Sequence, residues 1–387
     1  MRLSRKIRGW FLVVLAVLAM MTAGGCSGRM PERTEPSLLG EEGRQGTGGE
    51  TVVSEKLKVA TTLFPYYDFT RQIAGDRVEL TMVVPAGMDS HSFEPTPADM
   101  RTIQEADVLI CNGGAMEHWV SQVLDAVDTS DMTVITMMDY VDVVEEEIVE
   151  GMEDEGHGHD HAHEGDDHVH EEEHVHEEDH THGEEEHIYE EQPHVEQERW
   201  QFDDDGHQEE IEYDEHIWTS PVNAMKFTEI IADTLSEADP GNRQFYEAGR
   251  DSYLEDLNEL HQDFLQVADH RKRNMIIVGD KFPFRYLADE YGFNYRAAFS
   301  GCSTDTEPSA KTIAYLIDKV KAEQIPVVYY LELSSHRVSE IIGEETGAEP
   351  LLLHSCHNVT RREFDAGITY LELMRQNVEN LRKGLDE

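Results

Sequence analysis

From residue 57 onward, short apolar runs alternate with stretches whose apolar positions recur at helical spacing. The runs at residues 57–62, 78–84, 108–111 and 133–137 predict strands, and residues 65–74, 97–105 and 117–126 predict helices between them. A second series has strands at 275–278, 295–299, 327–331 and 351–354, and helices at 284–290, 309–322, 337–346 and 364–381. Alternation of this kind builds mostly parallel sheets flanked by helices. The expected fold class is therefore α/β, with two similar lobes.

Residues 239–270 join the two series. Tyr253, Leu257, Leu260, Phe264 and Val267 are spaced four, three, four and three apart, which gives one apolar helical face. At 1.5 Å per residue such a linking helix spans roughly 45 Å, enough to run behind both lobes. The alternative is an ordinary packed helix broken at Gly249. A single long helix implies a stiff two-lobed body with a cleft, and ligands of open parallel sheets sit beyond the carboxyl ends of the strands.

The N-terminus has a different pattern. Arg2, Arg5, Lys6 and Arg8 precede an apolar run from Trp10 to Met21, as in an export signal. The run is short for a transmembrane helix. It ends Ala23-Gly24-Gly25-Cys26, which resembles the lipobox of bacterial lipoproteins, with Ala23 where leucine is usual. The expected organisation is a signal peptide over 1–26, with lipid on Cys26, and a flexible tether over 27–56. A first lobe over 57–238, a linking helix over 239–270 and a second lobe over 271–387 follow. The expected location is the extracytoplasmic face of the bacterial cell membrane.

Charge changes the picture further. The chain has 387 residues, with 81 Asp and Glu against 31 Lys and Arg, a formal net charge of −50. Such a charge repels nucleic-acid phosphates, and a nucleic-acid partner is not expected. The excess is concentrated in an insert at residues 145–215, which holds 32 acidic residues, one basic residue, Arg199, and 13 of the 21 histidines. A tract of this composition cannot bury enough apolar surface to order itself. Its closely spaced imidazoles can still chelate transition metals.

Of the four cysteines, Cys111, Cys302 and Cys356 remain if Cys26 carries lipid. One disulfide and one thiol is the simplest outcome for an exported protein, and Cys302 with Cys356 is the candidate pair.

The polar groups placed just after predicted strands carry the candidate chemistry. His91 lies in a loop stiffened by Pro95 and Pro97. His216 closes the insert in Tyr213-Asp214-Glu215-His216-Ile217-Trp218. Asp280 follows the 275–278 strand, and His354 and His357 follow the last one. Two or three imidazoles with a carboxylate suit a borderline cation such as Zn²⁺.

On these segments, together with Glu307-Pro308-Ser309-Ala310 and Tyr330-Leu331-Glu332, the chain resembles the zinc-binding lipoproteins that feed ABC importers. The resemblance implies that His91 and His216 bind metal. The family's third ligand is a histidine shortly before a helix that starts as Phe284-Arg285-Tyr286 does here. This chain has Lys281 closest in register and Asp280 beside it. An ammonium cannot bind a cation, so exchange is expected, with the missing imidazole supplied after the last strand. The expected ligands are His91, His216, His354 and Asp280, with His357 or Glu332 in reserve.

The resemblance implies Zn²⁺ as cargo, an ABC-importer membrane permease as partner, and an insert that gathers metal; a monomer is expected. A manganese or other divalent-metal carrier of the same architecture is an alternative. A zinc metallohydrolase is another, with Asp280, Glu332 or Glu94 as base, but the chain has neither a His-Glu-x-x-His nor a Gly-x-Ser-x-Gly motif. A metal buffer or adhesin acting through the insert alone is a third. A carrier without enzymatic activity is the expected class.

Overall fold

The computed structural model describes residues 56–152, 201–202, 208–209, 212–303 and 307–386. The expectations placed on the signal peptide, on Cys26, on the tether and on the histidine run at 157–194 lie outside these residues.

The first lobe is built from β1 (Leu57–Thr61), α1 (Phe64–Ala74), β2 (Val78–Met82), α2 (Pro97–Gln104), β3 (Val108–Cys111), α3 (His118–Ala126) and β4 (Thr133–Thr136). Its strands form one parallel sheet in the order β2-β1-β3-β4. The ends of its helices are written in the sequence. Thr96 and Asp99 form a reciprocal capping box on α2, and Pro65 enters α1 in its first turn.

A two-stranded antiparallel ribbon, β5 (Gln201–Phe202) and β6 (Gln208–Glu209), comes next in the chain. It is followed by α4 (Pro221–Ala238) and α5 (Arg243–His270). The second lobe holds β7 (Met275–Phe282), α6 (Arg285–Tyr291), β8 (Asn294–Ser300), α7 (Ala310–Glu323) and β9 (Val327–Tyr330). It continues with α8 (Arg337–Thr346), β10 (Glu349–Leu352), α9 (Arg361–Ala366) and α10 (Tyr370–Leu385). Its parallel sheet has the order β10-β9-β7-β8. Counted from the first strand of each lobe, both sheets read second-first-third-fourth, so the two lobes share one topology.

The predicted linking helix is present as α5, 28 residues long and continuous through Gly249. A Cβ at residue 249 would lie 2.3 Å from the carbonyl oxygen of Ile73, so this glycine lets α5 lie directly on α1. One continuous apolar core runs from Val59 in the first lobe through Phe227, Leu257 and Phe264 to Leu353 and Leu381. A smaller cluster around Ile277, Leu316, Val328 and Ile342 fills the far face of the second sheet. The C-terminal helix also reaches back to the first lobe. The backbone N–H of Tyr370 donates to the buried Asp68 carboxylate at 2.7 Å, and Arg71 donates to the carbonyl of Ile368 at 2.7 Å.

Several expectations need correction. Helix α4 has no counterpart among the expected elements, and the helix expected over 364–381 is two, α9 and α10, separated at Gly367, whose φ is +77°. Strand β7 runs on to Phe282, so Asp280 and Lys281 belong to the strand and not to a loop. Cys111, Cys302 and Cys356 are all free thiols, and the Cys302–Cys356 pair is not formed. Cys356 is sealed in the core, while Cys302 is only partly buried just after β8, where its N–H donates to Glu146.

Candidate metal centre

His91, His216 and His357 converge where the two lobes face each other. Their ring centroids form a nearly equilateral triangle, 5.9 Å from His91 to His216, 5.4 Å from His91 to His357 and 5.6 Å from His216 to His357. One nitrogen from each ring lies within 4.8 Å of the other two. A tetrahedral zinc with bonds of about 2.0–2.1 Å holds its donors about 3.3–3.4 Å apart, so closing on such an ion takes a contraction of no more than about 1.5 Å.

Each imidazole is placed by local chemistry. His91 sits in a single 3₁₀ turn, Ser90–Ser92, capped by the Asp89 carboxylate, which accepts the His91 N–H at 3.1 Å. Across the cleft, the Asn358 amide donates to the carbonyls of Pro85 at 2.9 Å and Met88 at 2.8 Å. That clamp ties the His91 loop to the segment carrying His357, and Ser90 Oγ contacts His357 Nε2 directly.

His216 is held from both sides. The Asp214 carboxylate accepts the His216 backbone N–H at 2.8 Å and faces Nδ1 at 3.2 Å. Tyr286 on α6 donates to the carbonyl of Asp214 at 2.7 Å, and Asn112 after β3 donates to the carbonyl of Glu215 at 3.0 Å. The Glu215 carboxylate caps the backbone of Ala115 and Met116. Trp218, fully buried, lies against both His216 and His357, with centroids 5.4 and 5.1 Å away.

The electrostatics divide the three rings. Burial, then the neighbouring His216, lowers His91 to about 4. Burial, then His91 and His216, drives His357 well below the ordinary histidine value. Burial pushes His216 down as well, but Asp214, with Glu146 and Glu215 behind it, outweighs that and raises its pKa. At neutral pH the first two rings are free to donate lone pairs, and a proton is the natural competitor at the third.

His354, expected among the ligands, lies outside this group. It is buried, its backbone is bracketed by Asn377 on α10 at 2.7 and 2.8 Å, and its Nδ1 accepts the Cys356 N–H at 2.9 Å. Cys356 adopts φ +60°, an unusual conformation for a residue with a side chain, and the chain turns there so that His357 enters the cleft. Asp280 lines the same cavity but is not among the converging donors, and its carboxylate accepts the Lys281 N–H at 2.9 Å. Glu332 accepts both the N–H and the hydroxyl of Ser355, at 2.9 and 2.5 Å. His357, a reserve ligand on the sequence alone, is signalled there only by the three-residue step from His354 across a tight turn.

A sequence profile of the zinc-uptake complex component A, periplasmic (ZnuA) family matches residues 59–384. The chain belongs to that family. It is 31% identical over 343 residues to the zinc-binding protein AdcA of Streptococcus pyogenes serotype M3, covering 88% of this chain and 59% of that one. It is 29% identical over 331 residues to the high-affinity zinc uptake system protein ZnuA of Bacillus subtilis, covering 86% and 88%. The chain thus spans about three-fifths of the length of the AdcA relatives.

Among solved structures, the Zn(II)-bound ZnuA-like domain of Streptococcus pneumoniae AdcA matches with a TM-score of 0.62 at 26% identity, over 86% of this chain and all of that one. The metal-dependent lipoprotein YcdH of Bacillus subtilis matches with a TM-score of 0.62 at 25% identity, over 85% of this chain and 100% of its own. This family membership accounts for the repeated parallel sheets and for a cleft between them.

Proposed function

We propose that this protein captures Zn²⁺ between its lobes through His91, His216 and His357 and hands it to an ABC-type importer at the extracytoplasmic face of a bacterial membrane. The observation that carries the reading is the convergence of three imidazoles from distant segments on one point of the cleft. Three nitrogen donors in a tetrahedral arrangement suit zinc and disfavour manganese, which prefers oxygen-rich octahedral sites. Family membership and relatives named as zinc-binding proteins support the same cargo.

In this reading the protein is a carrier and not an enzyme. It works as a monomer, anchored through lipid on Cys26, with a permease as its partner. The histidine-rich insert gathers metal by weak, fast chelation, and the cleft retains it.

The test is competition for zinc against a chromophoric chelator, with protein purified without a histidine tag. The expected result is one tight site that disappears in the His91→Ala, His216→Ala and His357→Ala variants. A tight site that survives all three substitutions defeats the assignment.

A further inference from the structure

The cavity beside the three histidines is larger than an ion requires. It measures about 370 Å³ and reaches from His91, His216 and His357 past Lys281 to Glu332 and Arg337. That falls in the range of small-molecule sites. Three neutral imidazoles leave a bound dication an open fourth position, with the Asp214 carboxylate behind His216 offsetting only part of its charge.

Lys281 stands in this cavity with them, and its positive charge acts on both His91 and His357. Its placement is built into the sheet. The pairing of β7 with β8 passes from Val278 opposite Ala297 to Lys281 opposite Phe299, so β7 carries one extra residue there. A bulge of this kind re-aims the side chains that follow it. Among the described residues Lys281 makes no ion pair. Of the carboxylates on the wall, Asp89 accepts the His91 N–H, Asp280 the Lys281 N–H, and Glu332 the N–H and hydroxyl of Ser355, while Glu307 lines the cavity as well.

A dication and an ammonium sharing one cavity repel each other, and an anion bridging them removes that repulsion. We propose that the metal is bound together with a small carboxylate anion, which occupies the fourth coordination position and is held by Lys281. This rests on the three-histidine cluster being the zinc site.

The full-length protein loaded with Co²⁺, whose visible absorption reports the coordination of a zinc site, tests it in a sulfonate buffer with perchlorate as the other anion. Acetate should change the cobalt spectrum saturably. Lys281→Met should weaken that response about tenfold, the loss of one hydrogen bond between charged groups, and Lys281→Arg should retain it. A stronger response to glycine than to acetate assigns the anion to a chelate that arrives with the metal, and equal responses assign it to free carboxylate. A spectrum indifferent to both anions, or a Lys281→Met protein that responds like the wild type, overturns the proposal while the zinc site stands. Absence of any cobalt or zinc binding strikes at the zinc reading itself.

Discussion

The indole of Trp218 lies against the imidazole of His357 with centroids 5.1 Å apart and planes inclined by 39°. Its N–H donates to the carbonyl of Ser355 at 2.8 Å, and its own carbonyl accepts from the hydroxyl of Tyr370 at 2.8 Å. One side chain thereby fixes the turn that delivers His357 and packs on the ring of His216. Trp218→Phe keeps most of the packing and leaves the Ser355 carbonyl without this donor. A loss of about 1–3 kcal/mol in stability and faster zinc release are expected, read by thermal unfolding and by stopped-flow chelator capture.

His354 and His357 should separate cleanly. His357→Ala is expected to weaken zinc binding about a hundredfold or more while leaving the fold intact, since it removes a proposed ligand at the edge of the cleft. His354→Ala should retain the tight site and instead lose about 1–3 kcal/mol, because the Cys356 N–H and the surrounding buried volume are left without their partner. Paired chelator competition and denaturant unfolding distinguish the two.

The pH response follows from the three pKa directions. His91, lowered to about 4, and His357, held well below the ordinary histidine value by burial, have already lost their protons at neutral pH. His216, raised by Asp214, holds its proton to higher pH than an ordinary histidine. Zinc must displace that proton, so affinity falls as pH drops through the His216 titration and levels off above it. Proton release per zinc should rise towards one as pH falls through the His216 titration, measured by calorimetry in buffers of different ionisation enthalpy. Asp214→Asn should flatten this dependence.

Gly249→Ala is expected to destabilise the protein although alanine is the better helix former by about 1 kcal/mol. The new Cβ would meet the Ile73 carbonyl at 2.3 Å, and α5 would have to lift from α1. A lowered melting temperature checks this, whereas an unchanged or raised one would mean the two helices separate at little cost.

Deleting residues 156–194 should leave one tight zinc site and remove several weak ones. Isothermal titration of the shortened chain reads both classes, and loss of the tight class would overturn the proposed division of labour.

Much of this arrangement is legible in the sequence. Apolar runs place the strands, and the stripe from Tyr253 to Val267 announces α5 because a helix packed along its length must repeat its apolar residues at that interval. The convergence of His91 and His216 is legible because both stand where lobes of this kind face each other. The choice between His354 and His357 is not, since it depends on the backbone of Cys356 turning through a positive φ that no glycine signals. The position of Lys281 is hidden for a similar reason: one extra residue in β7 shifts the alternation of side chains, and a strand's own pattern does not show its partner's register.

The bond from the Tyr370 backbone to the Asp68 carboxylate constrains the order of assembly. The first lobe is braced by a helix that begins 302 residues further along the chain, and that brace forms only once the helix has docked. A nonsense codon anywhere before residue 370 would deprive both halves of the molecule of the same brace.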